Sequence, residues 1–233
     1  MFIVNRAEAD MQIFLKKLVI VAGLLTLAMP TLAQKVQFSA NMQVSGGSGQ
    51  TQTLKLFVGN ERARFDRNEK ENEPNGIGSI ILDFNHQFIY LLIPQSKLYL
   101  QVEGSLGTPF YSAASMFRPA TPAFPCNEWV TEADRRGMTL RCQAAGDENV
   151  NGKLTHKWNA TTTAGASGSL WYDPDLNFIV KLLRTSKDGV KTGYELQNVK
   201  QGTQDPALFE IPPGYRKFTL PKLIDVLTGV GQW

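Results

Sequence analysis

The 233-residue chain is predicted to fold as an α+β protein that is mostly β, with an antiparallel sheet and a few short helices. Two observations predict this fold class. From residue 36 onward, apolar and polar residues alternate with a period of two, which is the spacing of strands. Short turn signals such as Gly59-Asn60 and Asn151-Gly152 separate these alternating runs.

The N-terminal segment has the order of a secretory signal. Lys16 and Lys17 precede an apolar run at 18–29, and Thr31 and Ala33 are small enough for signal peptidase. We therefore expect residues 1–33 to be a signal peptide that is cleaved after Ala33. A membrane anchor is the alternative, but a spanning helix needs about 20 apolar residues and this run has about a dozen.

Charged residues precede this signal, so Met11 is an alternative start of translation. The residue directly after the expected cleavage site is Gln34 and not a cysteine, and we expect an exported periplasmic protein that carries no lipid anchor and no integral membrane span. The net charge of +3, without a polybasic cluster, gives no reason to expect nucleic acid as a partner. Residues 34–233 are enough for a single domain with its own core, which we expect to be monomeric.

The first half of this domain is predicted to contain strands at 36–44, 54–58, 63–65, 79–84, 87–93 and 97–102. A Gly-rich hairpin tip at 45–50 and a polar loop at 68–78 interrupt them. The segments 80–82 and 88–93 are apolar on both faces, whereas antiparallel strands usually expose one face to water. Both faces of these strands therefore need to be covered. We expect a helix to cover one face, and either further protein or a ligand to cover the other.

A Pro-rich segment at 105–125, with a short helix predicted at 111–117, separates the two halves. The second half is predicted to contain strands at 138–143, 153–162, 169–172, 177–184 and 193–199. Asp205-Pro206 is expected to start a helical turn that ends at Phe209. Thr219 and Pro221 are expected to start a last amphipathic helix with apolar positions at Leu220, Leu223, Ile224 and Leu227.

Cys126 and Cys142 are the only two cysteines. In an oxidising compartment such a pair predicts a disulfide. Two metal-ligating thiols are the alternative, but no further ligands occur nearby in the sequence. The predicted bond is structural and carries no information about activity.

The sequence gives little support for catalysis. Spacing alone does not exclude a triad that contains His86 or His156, but no nucleophile-elbow pattern occurs and both fit turn or surface positions. Asp173 and Asp175 could bind calcium, although Asp-Pro-Asp is chiefly a turn signal. No zinc-binding spacing is present. We expect no enzyme activity, no cofactor and no metal.

Aromatic and aliphatic residues of the strands are either core residues or the lining of an apolar ligand cavity. The cavity hypothesis names Phe57, Phe84, Phe88, Tyr90, Leu92, Tyr99, Trp171 and Phe178. Arg62 and Arg64 are candidate polar anchors for a ligand in that cavity. As alternatives, both arginines are solvated strand residues.

Several segments resemble the LolA/LolB-type family of periplasmic lipoprotein carriers and its uncharacterised relatives. They are the strand, Gly turn and Arg-containing strand at 54–66, the Asp-bearing and apolar strands at 80–99, and the segments 170–178 and 205–215. The resemblance implies a strongly curved antiparallel sheet, an unclosed half-barrel with helices over its concave side. It also implies binding of acyl chains rather than catalysis. The cysteine pair and the Pro-rich middle depart from that family.

Three functions follow as hypotheses. The first is a periplasmic binding module that shelters a lipid or a lipoprotein acyl chain in the half-barrel. The second is a non-catalytic envelope protein whose cavity is filled by its own side chains and which binds a partner. The third is an enzyme, which a pocket joining His86 or His156 to a carboxylate and a hydroxyl would favour.

Overall fold

A computed structural model describes residues 36–47, 49–67, 76–103, 117 and 124–218. These residues belong to one compact unit, Lys35–Trp233. The expected signal peptide, the helix at 219–227 and most of the helix at 111–117 lie outside the described residues.

The described residues form two successive groups of strands. The first group is β1 (Phe38–Ser45), β2 (Thr51–Val58), β3 (Arg62–Arg67), β4 (Ser79–Asp83), β5 (Phe88–Ile93) and β6 (Leu98–Glu103). The second is β7 (Leu140–Val150), β8 (Lys153–Thr162), β9 (Ser167–Asp173), β10 (Phe178–Thr185) and β11 (Lys191–Gln201). A two-residue strand, β12 (Arg216–Lys217), follows them.

All of these strands belong to one sheet of twelve strands, in the order β12-β6-β5-β4-β3-β2-β1-β11-β10-β9-β8-β7. Each group is an antiparallel meander, and the antiparallel pair β1–β11 joins the two. The short strand β12 pairs with β6 in parallel. Within the described residues the sheet ends at β12 and β7 and does not close. The predicted fold class, a mostly β protein with an unclosed antiparallel sheet, is confirmed.

The register of the strands defines a single apolar face. Residues directly opposite each other on antiparallel strands project on the same face. One such row crosses the first meander through Ala40, Leu56, Phe65, Ile80, Leu91 and Leu100. A second row crosses the other meander through Val44, Tyr194, Leu182, Leu170 and Trp158. We call the face that carries these rows the core face, because most of their members are buried.

Two helical segments accompany the sheet in the described part of the chain. Helix α1 spans Asn127–Arg135, and a 3₁₀ turn spans Pro206–Phe209. The 3₁₀ turn begins at Asp205, whose carboxylate accepts a hydrogen bond from the Ala207 N–H, so the predicted helical turn is confirmed. Helix α1 was not predicted.

Strand β7 is longer than the strand predicted at 138–143, and the prediction of its C-terminal limit was wrong. It continues to Val150 through Ala144 and Gly146, and its register shifts between Ala144 and Asp147. The side chains of this segment are mostly exposed because β7 is an edge strand, so the usual alternation of burial is missing. The predicted strand at 153–162 has the same limits in the structure.

Candidate ligand-binding face and its cover

The core face extends across both meanders, and most of its buried side chains are hydrophobic. The buried hydroxyl of Tyr194 donates to the Ile179 carbonyl oxygen at 3.0 Å. Burial raises the pKa of Tyr194 far above its ordinary value, so this hydroxyl stays neutral. The Tyr194 hydroxyl on the core face is therefore neutral and has a hydrogen-bond partner.

A segment between the meanders lies over this face. We call residues 124–135, which contain α1, the cover segment. The ring of Phe124 contacts Trp158 of β8 at a centroid distance of 5.6 Å. The Trp129 atom Cζ3 lies 3.7 Å from the position that a Cβ of Gly168 would occupy, so the indole packs on the backbone of β9. These aromatic contacts place the cover segment over the second meander.

The predicted disulfide between Cys126 and Cys142 is present, with 6.4 Å between the two Cα atoms. Cys126 is fully buried and precedes the first residue of α1, whereas Cys142 lies on edge strand β7. At the other end of the cover, the Thr163 N–H donates to the Thr139 carbonyl oxygen. A disulfide thus joins the start of the cover segment to β7, and a backbone hydrogen bond holds the chain just after the end of this segment.

The residues of the cavity hypothesis are divided between the two faces of the sheet. Phe178 belongs to the core, where its ring meets Phe38 edge-on at 5.1 Å, and Phe84 packs against the same core. The other members in the first meander lie on the opposite face, as their register partners show. Phe57 pairs with Arg64, Tyr90 with Ile81, Phe88 with Asp83, and Leu92 with Tyr99. A single cavity formed by all of them does not occur in this arrangement.

Trp171 has partners of its own. Its Nε1–H donates to Glu148 Oε2 at 2.7 Å, and the Nζ atoms of Lys157 and Lys181 lie 5.0 and 5.2 Å from its ring centroid. Hydrogen bonds from Lys157 and Trp171 lower the pKa of Glu148. Trp171 therefore takes part in a cation–π and hydrogen-bond cluster of the chain's own residues.

The two candidate anchor residues hold a segment of the chain itself. We call residues 205–218 the C-terminal strap. Arg62 Nη1 donates to the Phe209 carbonyl oxygen at 3.3 Å and to the Glu210 carboxylate. Arg64 Nη1 donates to the Leu208 carbonyl oxygen at 2.8 Å. The guanidinium groups thus bind backbone carbonyls of the strap, a role for which the sequence contained no direct signal.

The strap covers the opposite face of the first meander. The Phe209 side chain is buried, and its ring lies beside Gly59 in the turn between β2 and β3. Further along, the Arg216 and Phe218 N–H groups donate to the Lys97 and Tyr99 carbonyl oxygens along the edge of β6. The strands that are apolar on both faces need cover on each side, and on this face the chain provides it.

Asp83 connects the strap to the sheet through Arg62. Its side chain is 3% exposed, and Oδ2 accepts from Arg62 Nε at 3.1 Å. The His86 N–H donates to Oδ1 at 3.0 Å, and His86 Nδ1 lies 3.0 Å from Oδ2. Burial raises the pKa of Asp83, but the hydrogen bonds from His86 and the charge of Arg62 outweigh it, so the net pKa is lowered. Asp83 is therefore an ionised group that orients Arg62.

Both histidines lie beside a carboxylate. His86 contacts Asp83, and His156 Nδ1 lies 2.7 Å from Asp147 Oδ1 while its ring stacks on Tyr172. Each histidine thus has the carboxylate neighbour that the enzyme hypothesis requires. The turn interpretation of Asp173 also holds, because its Oδ1 accepts from the N–H groups of Asp175 and Leu176. In the described ranges, no cluster of His, Cys, Asp and Glu could hold a metal.

We predict that Gly59→Ala lowers the free energy of unfolding by about 1–2 kcal/mol. The new Cβ would lie 2.9 Å from Phe209 Cε2, so the strap must shift. Urea melts measure the effect. Adding Phe209→Leu to Gly59→Ala gives a double-mutant cycle, and strictly additive losses would contradict the contact between this turn and the strap.

No family model matches the chain, and no curated protein matches its sequence. Among solved structures, an uncharacterized conserved protein from Thermus thermophilus aligns with a TM-score of 0.51 at 7% identity, over 79% of this chain and 90% of that one. This match supports the fold alone.

Two further solved structures align with lower scores. The MucA/MucB complex of Pseudomonas aeruginosa gives a TM-score of 0.47 at 13% identity, covering 80% of this chain but only 59% of that one. A LolA superfamily protein, NE2245 from Nitrosomonas europaea, gives 0.35 at 9% identity, covering 77% and 91%. In the described part of the chain, none of the helices has the length and hydropathy that crossing a membrane requires.

Proposed function

We propose that this chain, which resembles LolA-superfamily proteins in fold, is a non-enzymatic binding protein for a lipid or lipoprotein acyl chain. The ligand lies along the core face of the first meander and extends under the cover segment, which lies over the second meander. The observation that carries this proposal is the extended apolar core face of an open sheet, partly covered by a short segment that a disulfide joins to edge strand β7. Residues 34–233 form the binding domain.

The energetics of such a site need few polar contacts. Burial of an acyl chain contributes about 0.8 kcal/mol per CH₂ group, so a long chain binds firmly to an apolar face. The partly buried Leu54, Ile80 and Val102 pack against the core and are candidate contacts for it. Phe84 and Phe178 remain in this site. Arg62 and Arg64 are left out because their guanidinium groups hold the strap.

We also propose that the protein acts in the periplasm after cleavage following Ala33, without a lipid anchor. The disulfide supports this location, since such bonds persist in oxidising compartments. The mass of the protein isolated from the periplasm tests it. A mature N-terminus at Gln34 is expected, and a chain that retains residues 11–33 would contradict cleavage.

The binding proposal is tested by native mass spectrometry and solvent extraction of the mature protein. We expect a stoichiometric lipid that is reduced about tenfold or more by Leu54→Glu, because a buried unpaired charge is costly. Leu183→Glu is the matched control, since Leu183 is 46% exposed. Its lipid content should equal that of the wild type. A monomer free of lipid and indifferent to added fatty acid or phospholipid would refute the proposal.

A second candidate is an interaction protein whose interior is filled by its own side chains. The ring of Phe117 favours it, because this ring lies between Phe65 at 4.7 Å and Tyr194 at 5.5 Å on the core face. Lipid extraction from a Phe117→Ala variant separates the two candidates. If Phe117→Ala increases lipid uptake, the ring occupies space that a ligand can use. If it only destabilises the protein, the interior is self-filled.

A further inference from the structure

The cover segment contains a buried hydrogen-bond donor that has no acceptor. Trp129 Nε1 exposes less than 1 Å² and, within the described ranges, is the one buried side-chain N or O atom without a hydrogen-bond partner. Buried indole N–H groups usually have a partner, and leaving one unpaired costs free energy. By contrast, the Trp171 N–H is paired with Glu148.

The surroundings of Trp129 fix its orientation. The benzo half of the indole, to which Cζ3 belongs, packs at Gly168, where an added Cβ would also approach the Leu183 carbonyl oxygen to 2.9 Å. Nε1 belongs to the other half of the ring system. Gly168 lies opposite Ala160 in the β8–β9 register, so small residues accommodate the indole. The indole itself packs against the hydrophobic core.

A trapped water is a poor partner for this N–H. A buried water typically makes about three hydrogen bonds and needs a polar, roomy site. The described side chains that pack against the same core as Trp129 are predominantly hydrophobic, and they include Phe124 and Trp158. A ligand that is mostly apolar and has one acceptor oxygen matches this environment better.

We propose that Trp129 is a specificity-determining residue whose indole N–H binds the carbonyl oxygen of an acyl group on the core face. This inference rests on the proposed function and narrows its ligand. Acyl esters and acyl amides share the carbonyl, whereas a plain hydrocarbon lacks it. Phospholipids supply esters, and lipoproteins supply both esters and an amide.

The test compares three probes of equal chain length, which are methyl palmitate, palmitamide and hexadecane, on the mature protein. We expect wild type to bind the two carbonyl probes more tightly than hexadecane. Trp129→Phe should weaken the carbonyl probes about three- to tenfold and leave hexadecane unchanged, because one hydrogen bond is lost. A preference for palmitamide identifies a lipoprotein as the source, whereas a preference for methyl palmitate identifies an ester, which both sources supply.

The outcomes separate this inference from the proposed function. If wild type binds none of the probes, the proposed function fails and the inference with it. If wild type binds all three and Trp129→Phe changes none of the affinities, the inference alone is overturned. A direct readout in the wild type is the Trp129 indole ¹H–¹⁵N resonance, which should shift with methyl palmitate but much less with hexadecane.

Thermal melting of the ligand-free variants provides a matched comparison. Trp129→Phe removes packed ring atoms and an unpaired donor, so it should lower Tm less than Trp171→Phe does. Trp171→Phe removes a donor that is bonded to Glu148 and should lower Tm. Equal losses in the two variants would show that Trp129 already has a partner in the free protein and would overturn the inference.

Discussion

The double variant Cys126→Ala/Cys142→Ala is expected to lose about 3 kcal/mol of unfolding free energy, because it frees a loop of about 15 residues in the unfolded chain. The two cysteines are 16 positions apart, and the bond joins the start of the cover segment to edge strand β7. Urea melts without reductant measure the loss. Alanine suits Cys126 because that side chain is fully buried.

The same bond should affect ligand retention. The disulfide attaches the cover segment at Cys126. Loss of this bond should therefore increase the rate at which bound lipid is released, with a smaller effect on the strand content of the protein. Reductant is the internal control, since it should bring wild type to the stability of the double variant and leave the variant unchanged. A wild-type protein that is equally stable with and without reductant would contradict the prediction.

Most of the fold was predictable because it depends on local chemistry. Alternating residues and two-residue turns define the strands, and at Asn151-Gly152 both residues have positive φ, as a tight hairpin turn requires. Helix α1 escaped prediction because it has only nine residues and few apolar ones. Its remaining signals are the i,i+4 spacing of Trp129 and Ala133 and the ion pair between Glu132 and Arg136.

The candidate site was less predictable, for a physical reason. Period two tells which residues share a face, but it does not tell what covers that face. Tyr90 and Leu91 are adjacent, yet only Leu91 is on the core face. The roles of Arg62 and Arg64 depend on carbonyls of Leu208 and Phe209, about 145 positions away, and no local pattern encodes such contacts.

Asp83→Asn should lower the free energy of unfolding by about 2–3 kcal/mol at pH 7, since it breaks a buried ion pair that orients Arg62. The figure is below that for a fully buried pair because the Arg62 side chain is 30% exposed. Asp66→Asn is the matched control. Asp66 pairs with Arg64 at 2.6 Å but is 28% exposed, so its loss should be less than about 1 kcal/mol.

The pH dependence of this difference follows from the lowered pKa of Asp83 in the folded protein. An aspartate titrates near pH 3.9 when the chain is unfolded, so the stabilisation is complete above that value. As the pH falls below about 4 and through the folded pKa, Asp83 takes up a proton and the stabilisation is lost. Wild type should therefore approach Asp83→Asn in stability as the pH falls further below that range. A difference that stays constant or grows under acid conditions would show that Asp83 does not act as a charge. The attachment of Arg62 to the strap would then depend on Glu210 and the Phe209 carbonyl alone.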